Sequence, residues 1–383
     1  MPLRRILLIL LIAIVVIGAM VAIALYVPLP LNPYLDFQVL YRADQGILQG
    51  ISLYDRAGQA QMVAENLGVT VDKVFVLPFP YPPWYALATL PIALLPIEIA
   101  VRVWFLLNMA MLLVSVWLIT DGWQPRKRLF SFIVAPLFFP ILGALIVGQY
   151  VFPTILGMAL LVYALQRKNT TYIALGMALL TFKPHVGIFI LLAVSLHLLV
   201  RRDEFGRRAF LTTVVTGVIL FAVGFIADPN WLVNYWQSLF EFKDVSKCQL
   251  CVSLPVTITE IAGGNFNQAI GVSFILFIGL TILCVKPFPR LNSERLVALF
   301  TCMALLVNPY LQNYDFAFAI IPLFVVAHDA NRISTWLVAL IVFLLPSLGL
   351  FVGRAGSPTL LISTIILTTV ILTNHYKEHK IIS

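Results

Sequence analysis

Apolar residues run along this chain in long blocks separated by short polar punctuation. The blocks are continuous, not alternating, which predicts membrane-crossing helices and excludes a β-barrel. The first, residues 6–27, follows Arg4 and Arg5. It is longer than the ~7–15 apolar residues of a cleavable signal, so a retained anchor is expected. Further spans are predicted at 99–119, 129–147, 150–165, 170–183, 184–200, 209–227, 269–285, 295–308, 315–328, 334–352 and 359–374, about twelve in all. Two polar segments between them are long, 28–98 and 228–268. Long ordered connections tend to carry function.

Segment 81–96 is apolar enough to cross, and charge decides against it. If it crosses, the Pro125-Arg126-Lys127-Arg128 cluster falls outside and every later basic cluster falls on the wrong side with it. If it lies along the outer surface, 17 of the 25 Lys and Arg fall on one side, at 4–5, 126–128, 167–168, 201–208, 286–295, 332 and 377–380. That asymmetry predicts both termini in the cytoplasm. It also accounts for the net charge of +8, as orientation and contact with anionic lipids. No soluble basic domain is available to bind nucleic acid.

Composition agrees. Of 383 residues, 61% are apolar and 11% charged, against the ~25% charged of a soluble domain. With a mean hydropathy of +0.98, a soluble enzyme, a disordered chain and a secreted disulfide scaffold are excluded. The fold class expected is an all-α polytopic membrane protein, residues 1–383 forming a single integral-membrane domain. Among four cysteines, Cys284 and Cys302 sit in apolar runs as small core residues. Cys248 and Cys251 form a C-x-x-C without the second pair or histidine of a zinc site; a local disulfide is open to them.

The polar residues gather on the predicted outer side. Asp36 stands just past the first span, before a stripe of apolar residues at 37, 40, 41, 47 and 48 that predicts an interfacial helix, broken by Asp44. An N-cap and a catalytic carboxylate are both open to Asp36. Tyr41, Tyr54, Tyr81 and Trp84 read as interfacial anchors or as substrate contacts, with Pro82 and Pro83 setting a turn before Trp84. Gly148-Gln149-Tyr150 and Lys183-Pro184-His185 join successive spans. Residues 170–182 make ~20 Å of helix against a ~30 Å hydrocarbon core. Lys183 then lies below the surface, where it needs a wet cavity or an anionic partner unless it snorkels. Asn308-Pro309-Tyr310-Leu311-Gln312-Asn313-Tyr314-Asp315 packs amides, phenols and a carboxylate into one turn, and Arg354 occupies another. A carboxylate base, cations at membrane depth and amide groups suit a reaction on a lipid-linked phosphate. No D-x-D or Cys/His cluster among these outer-side residues argues for a metal, and no cofactor is expected.

Asp36 after the first span, Gly50-x-x-Leu53-Tyr54, Tyr81-Pro82-Pro83, Gly148-Gln149, Lys183-Pro184 and the Asn308-to-Asp315 turn occur in the order of a known family. The chain resembles the integral-membrane glycosyltransferases of family 87, which have the GT-C fold and include polyprenyl-phosphate-mannose-dependent mannosyltransferases. The resemblance implies an inverting hexosyl transfer, mannose foremost, from a polyprenyl-phospho-sugar donor to a hydroxyl of a lipid or glycan acceptor. It implies an extracytoplasmic active site, in a cell-envelope role, with Asp36 as general base. By position Lys183, His185, Tyr310 and Gln312 would meet the donor phosphate. Tyr41, Tyr54, Tyr81, Gln149, Asn308 and Tyr314 would line the substrate site. The sequence departs from the paired acidic motifs of GT-C enzymes, having Asp36-Phe37-Gln38. A transporter or flippase for an amphipathic substrate is the alternative, and would show repeat symmetry and helices broken at the midplane.

Overall fold

The computed structural model describes residues 36–201, 203–246, 251–285, 287–330, 333–348 and 357–382, with the isolated positions 18 and 22. The first predicted span, Cys248 and Arg354 lie outside the described residues. Those described form helices and connecting turns without a strand. In chain order the helices are α1 (Asp36–Leu48), α2 (Arg56–Leu67), α3 (Pro83–Ala93), α4 (Ile97–Ile119), α5 (Pro125–Val134), α6 (Phe139–Ile146), α7 (Val151–Arg167), α8 (Thr170–Leu180) and α9 (Pro184–Val200). They continue with α10 (Glu204–Ala227), α11 (Trp231–Ser246), α12 (Leu254–Ile261), α13 (Phe266–Val285), α14 (Ser293–Val307), α15 (Ile320–His328), α16 (Ile333–Leu344) and α17 (Ser357–Ile382).

The predicted spans after the first fall on helices, the span 334–352 as far as its described residues reach. Four are by themselves long and apolar enough to cross a membrane: Ile97–Ile119, Glu204–Ala227, Phe266–Val285 and Pro358–His375. Pro125–Leu137 and Phe139–Ile146 make a fifth as a pair bent by 53°. Pro136 and Pro140 stand at that bend, where they remove amide donors from the helical ladder. The other spans are shorter helices. Segment 81–96 forms α3, whose eleven residues reach ~16 Å, about half a hydrocarbon core.

Helices α7 and α14 are buried nearly throughout and form the centre of the main core with α8, α9 and α15. Helices α10 and α13 instead turn apolar side chains such as Leu211, Val218, Ile226, Phe274 and Ile275 outward. An apolar exterior on helices of this length is what lipid contact requires. A second, smaller core joins α1, α3 and the start of α4 through Phe37, Leu40, Tyr85, Ala86, Ala100 and Trp104. Asp44 lies on the inward face of α1, one and two turns beyond Leu40 and Phe37, and is buried with them. The site described next lies where the two cores meet.

Candidate active site

Four chain corners converge. The first is the start of α1, which places Asp36 in its opening turn. The second is the α6–α7 corner at Gly148-Gln149. Gly148 has φ +69°, a left-handed conformation, and its missing Cβ would sit 2.7 Å from Phe37 Cβ. Glycine is therefore demanded twice, by backbone and by space, because α1 rests directly on this corner. Helix α4 clamps it from the other side: Trp104 Nε1 donates to Gly148 O at 2.8 Å and Asn108 Nδ2 to Gln149 O at 3.4 Å.

The third corner, α8–α9, carries Lys183. Pro184 opens α9, a position that suits its missing amide donor. A Cβ at Gly187 would overlap the Leu180 carbonyl, so only glycine lets the hairpin close this tightly. Phe182 stacks on Tyr85 at 4.3 Å and Trp84 Nε1 donates to Thr181 Oγ1 at 2.8 Å, tying α3 to the corner. The fourth is the turn after α14. Asn308 organises it, donating from Nδ2 to His185 O at 2.9 Å and accepting the Tyr310 amide at 2.9 Å. The Gln312 amide donates to Asp315 Oδ2 at 2.9 Å, which opens the 3₁₀ turn Asn313–Ala319.

At the convergence, Gln149 Nε2 donates to Asp36 Oδ2 at 2.5 Å, and the Tyr150 hydroxyl donates to the Asp36 backbone carbonyl. Lys183 Nζ lies 2.6 Å from Asp315 Oδ1 and 5.0 Å from the centre of the Tyr314 ring. Tyr314 also faces the Asp36 carboxylate and favours its ionised form. Burial raises the Asp36 pKa from 3.8 to about 6, against the opposing effects of the Gln149 hydrogen bond and the Lys183 charge. A carboxyl with a pKa near working pH is ionised enough to act, and basic enough to take a proton in a transition state. Burial also raises the pKa of Asp44, well above the ordinary range and with no basic group beside it.

The other expected residues divide. Tyr81 belongs to the cluster, its ring edge-on to Tyr150 at 4.8 Å. Tyr54 supports it from behind, donating to Tyr81 O at 2.9 Å and packing on Tyr235 at 5.9 Å. His185 borders the cluster with its ring perpendicular to Tyr310 at 6.1 Å, and its Nε2 is enclosed without a hydrogen-bond partner. Tyr310 packs in turn on Phe242 of α11 at 5.6 Å. Asn308 and Gln312 shape the turn through the contacts above. Tyr41 is directed elsewhere, its hydroxyl donating to Leu95 O at 2.8 Å.

Sequence reasoning left Asp315, Tyr150 and Trp104 out of the site. The short helix before Lys183 did signal that an anionic partner was needed, and Asp315 supplies it. It also missed how the two outer segments are held together: Asp228 Oδ2 accepts from Ser52 Oγ and Asn234 Nδ2, each at 2.8 Å. Ser238 Oγ adds a bond to Phe79 O at 2.8 Å. Cys251 is disulfide-bonded, while Cys284 and Cys302 are free. Among the described residues, no three or more His, Cys, Asp or Glu side chains are grouped to hold a metal ion.

The sequence profile of glycosyltransferase family 87 matches residues 79–309, well over half of the chain. The match includes Tyr81, Gln149, Lys183, His185 and Asn308; Asp36 precedes it and Asp315 follows it. No curated protein matches the chain. With its apolar helices and a family profile of this extent, the chain belongs to glycosyltransferase family 87 and is a multi-pass membrane glycosyltransferase.

Proposed function

We propose that this protein moves a hexose, mannose foremost, from a polyprenyl-phospho-sugar to a hydroxyl of a lipid or glycan acceptor, with inversion, on the extracytoplasmic side. The observation that carries the reading is the meeting of a base and a cation. Asp36, with a pKa near 6, sits under the same residues that hold the buried Lys183 ammonium.

In the reaction Asp36 takes the acceptor's hydroxyl proton as that oxygen attacks the anomeric carbon. The new C–O bond forms as the bond from the anomeric carbon to the phosphate oxygen breaks, and polyprenyl phosphate departs with the electron pair. One displacement with one base inverts the centre and forms no sugar–enzyme intermediate. Gln149 orients the carboxylate through its 2.5 Å hydrogen bond. Lys183 stabilises charge gathering on the leaving phosphate, with Asp315 holding the ammonium in place beforehand. His185, whose enclosed Nε2 lacks a partner, adds a contact to the phosphate, helped by Tyr310 and Gln312 at the turn. Tyr81 and Tyr314 form the wall against the sugar, with Tyr54 supporting Tyr81 from behind.

The test is to incubate the purified protein in lipid nanodiscs with a panel of polyprenyl-phospho-sugars and acceptor lipids, following release of polyprenyl phosphate. Release that needs both donor and acceptor, fastest with mannose, supports the reading. Movement of donor across the membrane without release would support a flippase and contradict it.

A further inference from the structure

The end of the helix bundle remote from Asp36 holds a cavity that the transfer reaction does not use. Its volume is about 490 Å³, within the ~300–1,000 Å³ range of ligand sites, and it lies between α5, α15 and α16. Helix α4 measures its distance from the active site. Trp104 donates to Gly148 O beside the Asp36 cluster. From Trp104 the helix continues to Ile119, about 22 Å along its axis, before the chain turns into Trp123 at the cavity wall.

Most of the lining is apolar, with Phe130, Phe324, Leu340 and Phe343 among it. Two polar features break that lining. Lys127 stands over the Trp336 ring, Nζ 5.5 Å from its centre, and among the described residues no carboxylate forms an ion pair with it. Trp123 is 9% exposed, and its Nε1–H has no hydrogen-bond partner. His328 stacks on the Trp123 indole at 4.8 Å and fixes its plane, while the His328 ring faces Glu294 and Asp329. Arg126 and Arg128 flank Lys127 in the sequence, so the start of α5 is basic, though Arg128 is directed to Trp117 and Lys127 is the cation that lines the cavity.

We propose that this cavity binds an anionic phospholipid of the surrounding membrane, an acyl chain lying between α5 and α16 and its phosphate against Lys127 and the Trp123 N–H. An apolar slot with a cation and an orphaned donor at one end matches an amphiphile with a negative head. A zwitterionic lipid would bring its own cation beside the ammonium and leave the site's positive charge uncompensated. The donor lipid does not fit, because its phosphate belongs beside Lys183 at the other end of α4, and its tail has no charge to offer Lys127.

Native mass spectrometry of the full chain, stripped in detergent and titrated with phosphatidylglycerol or phosphatidylcholine of identical acyl chains, tests this. Wild type should retain phosphatidylglycerol about fivefold better, the effect of one lysine at an anionic head. Lys127→Gln should erase the preference while still retaining some lipid, and Ala327→Phe, which fills the slot, should lower retention of both lipids. Sugar transfer by Lys127→Gln should match wild type at saturating donor. Equal retention of the two lipids by wild type would overturn the proposal, and so would an unchanged preference in Lys127→Gln. Displacement of phosphatidylglycerol by polyprenyl phosphate in proportion to its concentration would assign the cavity to the donor's tail, which also overturns it.

Discussion

Lys183 Nζ lies 2.6 Å from Asp315 Oδ1, with the two side chains only 3% and 1% exposed. Removing one partner of such a buried pair strands the other charge, typically at a cost of about 3–5 kcal/mol, whereas replacing both with apolar groups is often neutral. Asp315→Asn should therefore unfold at much lower denaturant in detergent. The double variant Lys183→Met/Asp315→Leu should recover most of that stability and transfer no sugar. A double variant that is stable and active would show that the pair serves folding alone.

Gly148 is the position where geometry leaves least latitude. Its φ is +69°, and an added Cβ would stand 2.7 Å from Phe37 Cβ. Gly148→Ala should cost about 1–3 kcal/mol, from left-handed strain plus displacement of α1, and should lower kcat because Asp36 moves with α1. Thermal unfolding and turnover on the same preparation check both effects. Gly143→Ala, in the neighbouring α6 where a Cβ meets nothing within 4 Å, is the control: it should leave turnover unchanged and raise stability by about 0.5–1 kcal/mol.

The pH dependence follows from Asp36. Its folded pKa of about 6 lies above the ordinary 3.8, so the folded state holds this proton more tightly than the unfolded chain does. Its contribution to stability is therefore full below pH 4 and lost as pH rises to about 6. Asp36→Asn cannot ionise and should be more stable than wild type at pH 8, by an order of 1–3 kcal/mol, the gap closing below pH 4. The rate of wild type should run the opposite way, rising tenfold per pH unit below 6 and levelling above 7. Denaturant titrations and single-turnover rates between pH 4.5 and 8 read both trends.

Much of the site was legible because each motif answers a local physical demand. Gly148 marks a left-handed corner, Pro184 a helix start, and Lys183 a cation too deep to reach water. What linear reading cannot supply is which corners meet. Gln149 and Asp36 are joined across 113 residues, and Lys183 and Asp315 across 132, by packing of α1, α7 and α8 that no local pattern records. Nor does spacing record where a side chain is directed: Tyr41 lies on α1 near the site, and its hydroxyl donates to Leu95 O. Helix positions were well marked by continuous apolar runs. Their reach was less so, since α8 and α15 are short and complete their paths through turns.

Orientation is testable without substrate. The charge asymmetry predicts Lys127 and Glu204 on the cytoplasmic side and Asp55 and Lys243 outside. Single cysteines at 127, 204, 55 and 243 should label accordingly in sealed vesicles with an impermeant maleimide. Labelling of position 127 from outside would mean that segment 81–96 crosses the membrane after all.

The central claim is that Asp36 takes the acceptor proton, and the most direct measurement is single-turnover sugar transfer by Asp36→Asn and Asp44→Asn. Asparagine keeps the size of aspartate and caps a helix about as well, so a role in starting α1 predicts near-normal transfer by Asp36→Asn. A role as base predicts a loss of about 10²–10⁴ in rate with donor binding intact. Asp44, buried against α3 without a basic neighbour, should tolerate the same change with little loss of rate. Slow transfer by Asp36→Asn beside near-normal transfer by Asp44→Asn is the predicted result; normal transfer by Asp36→Asn would contradict it.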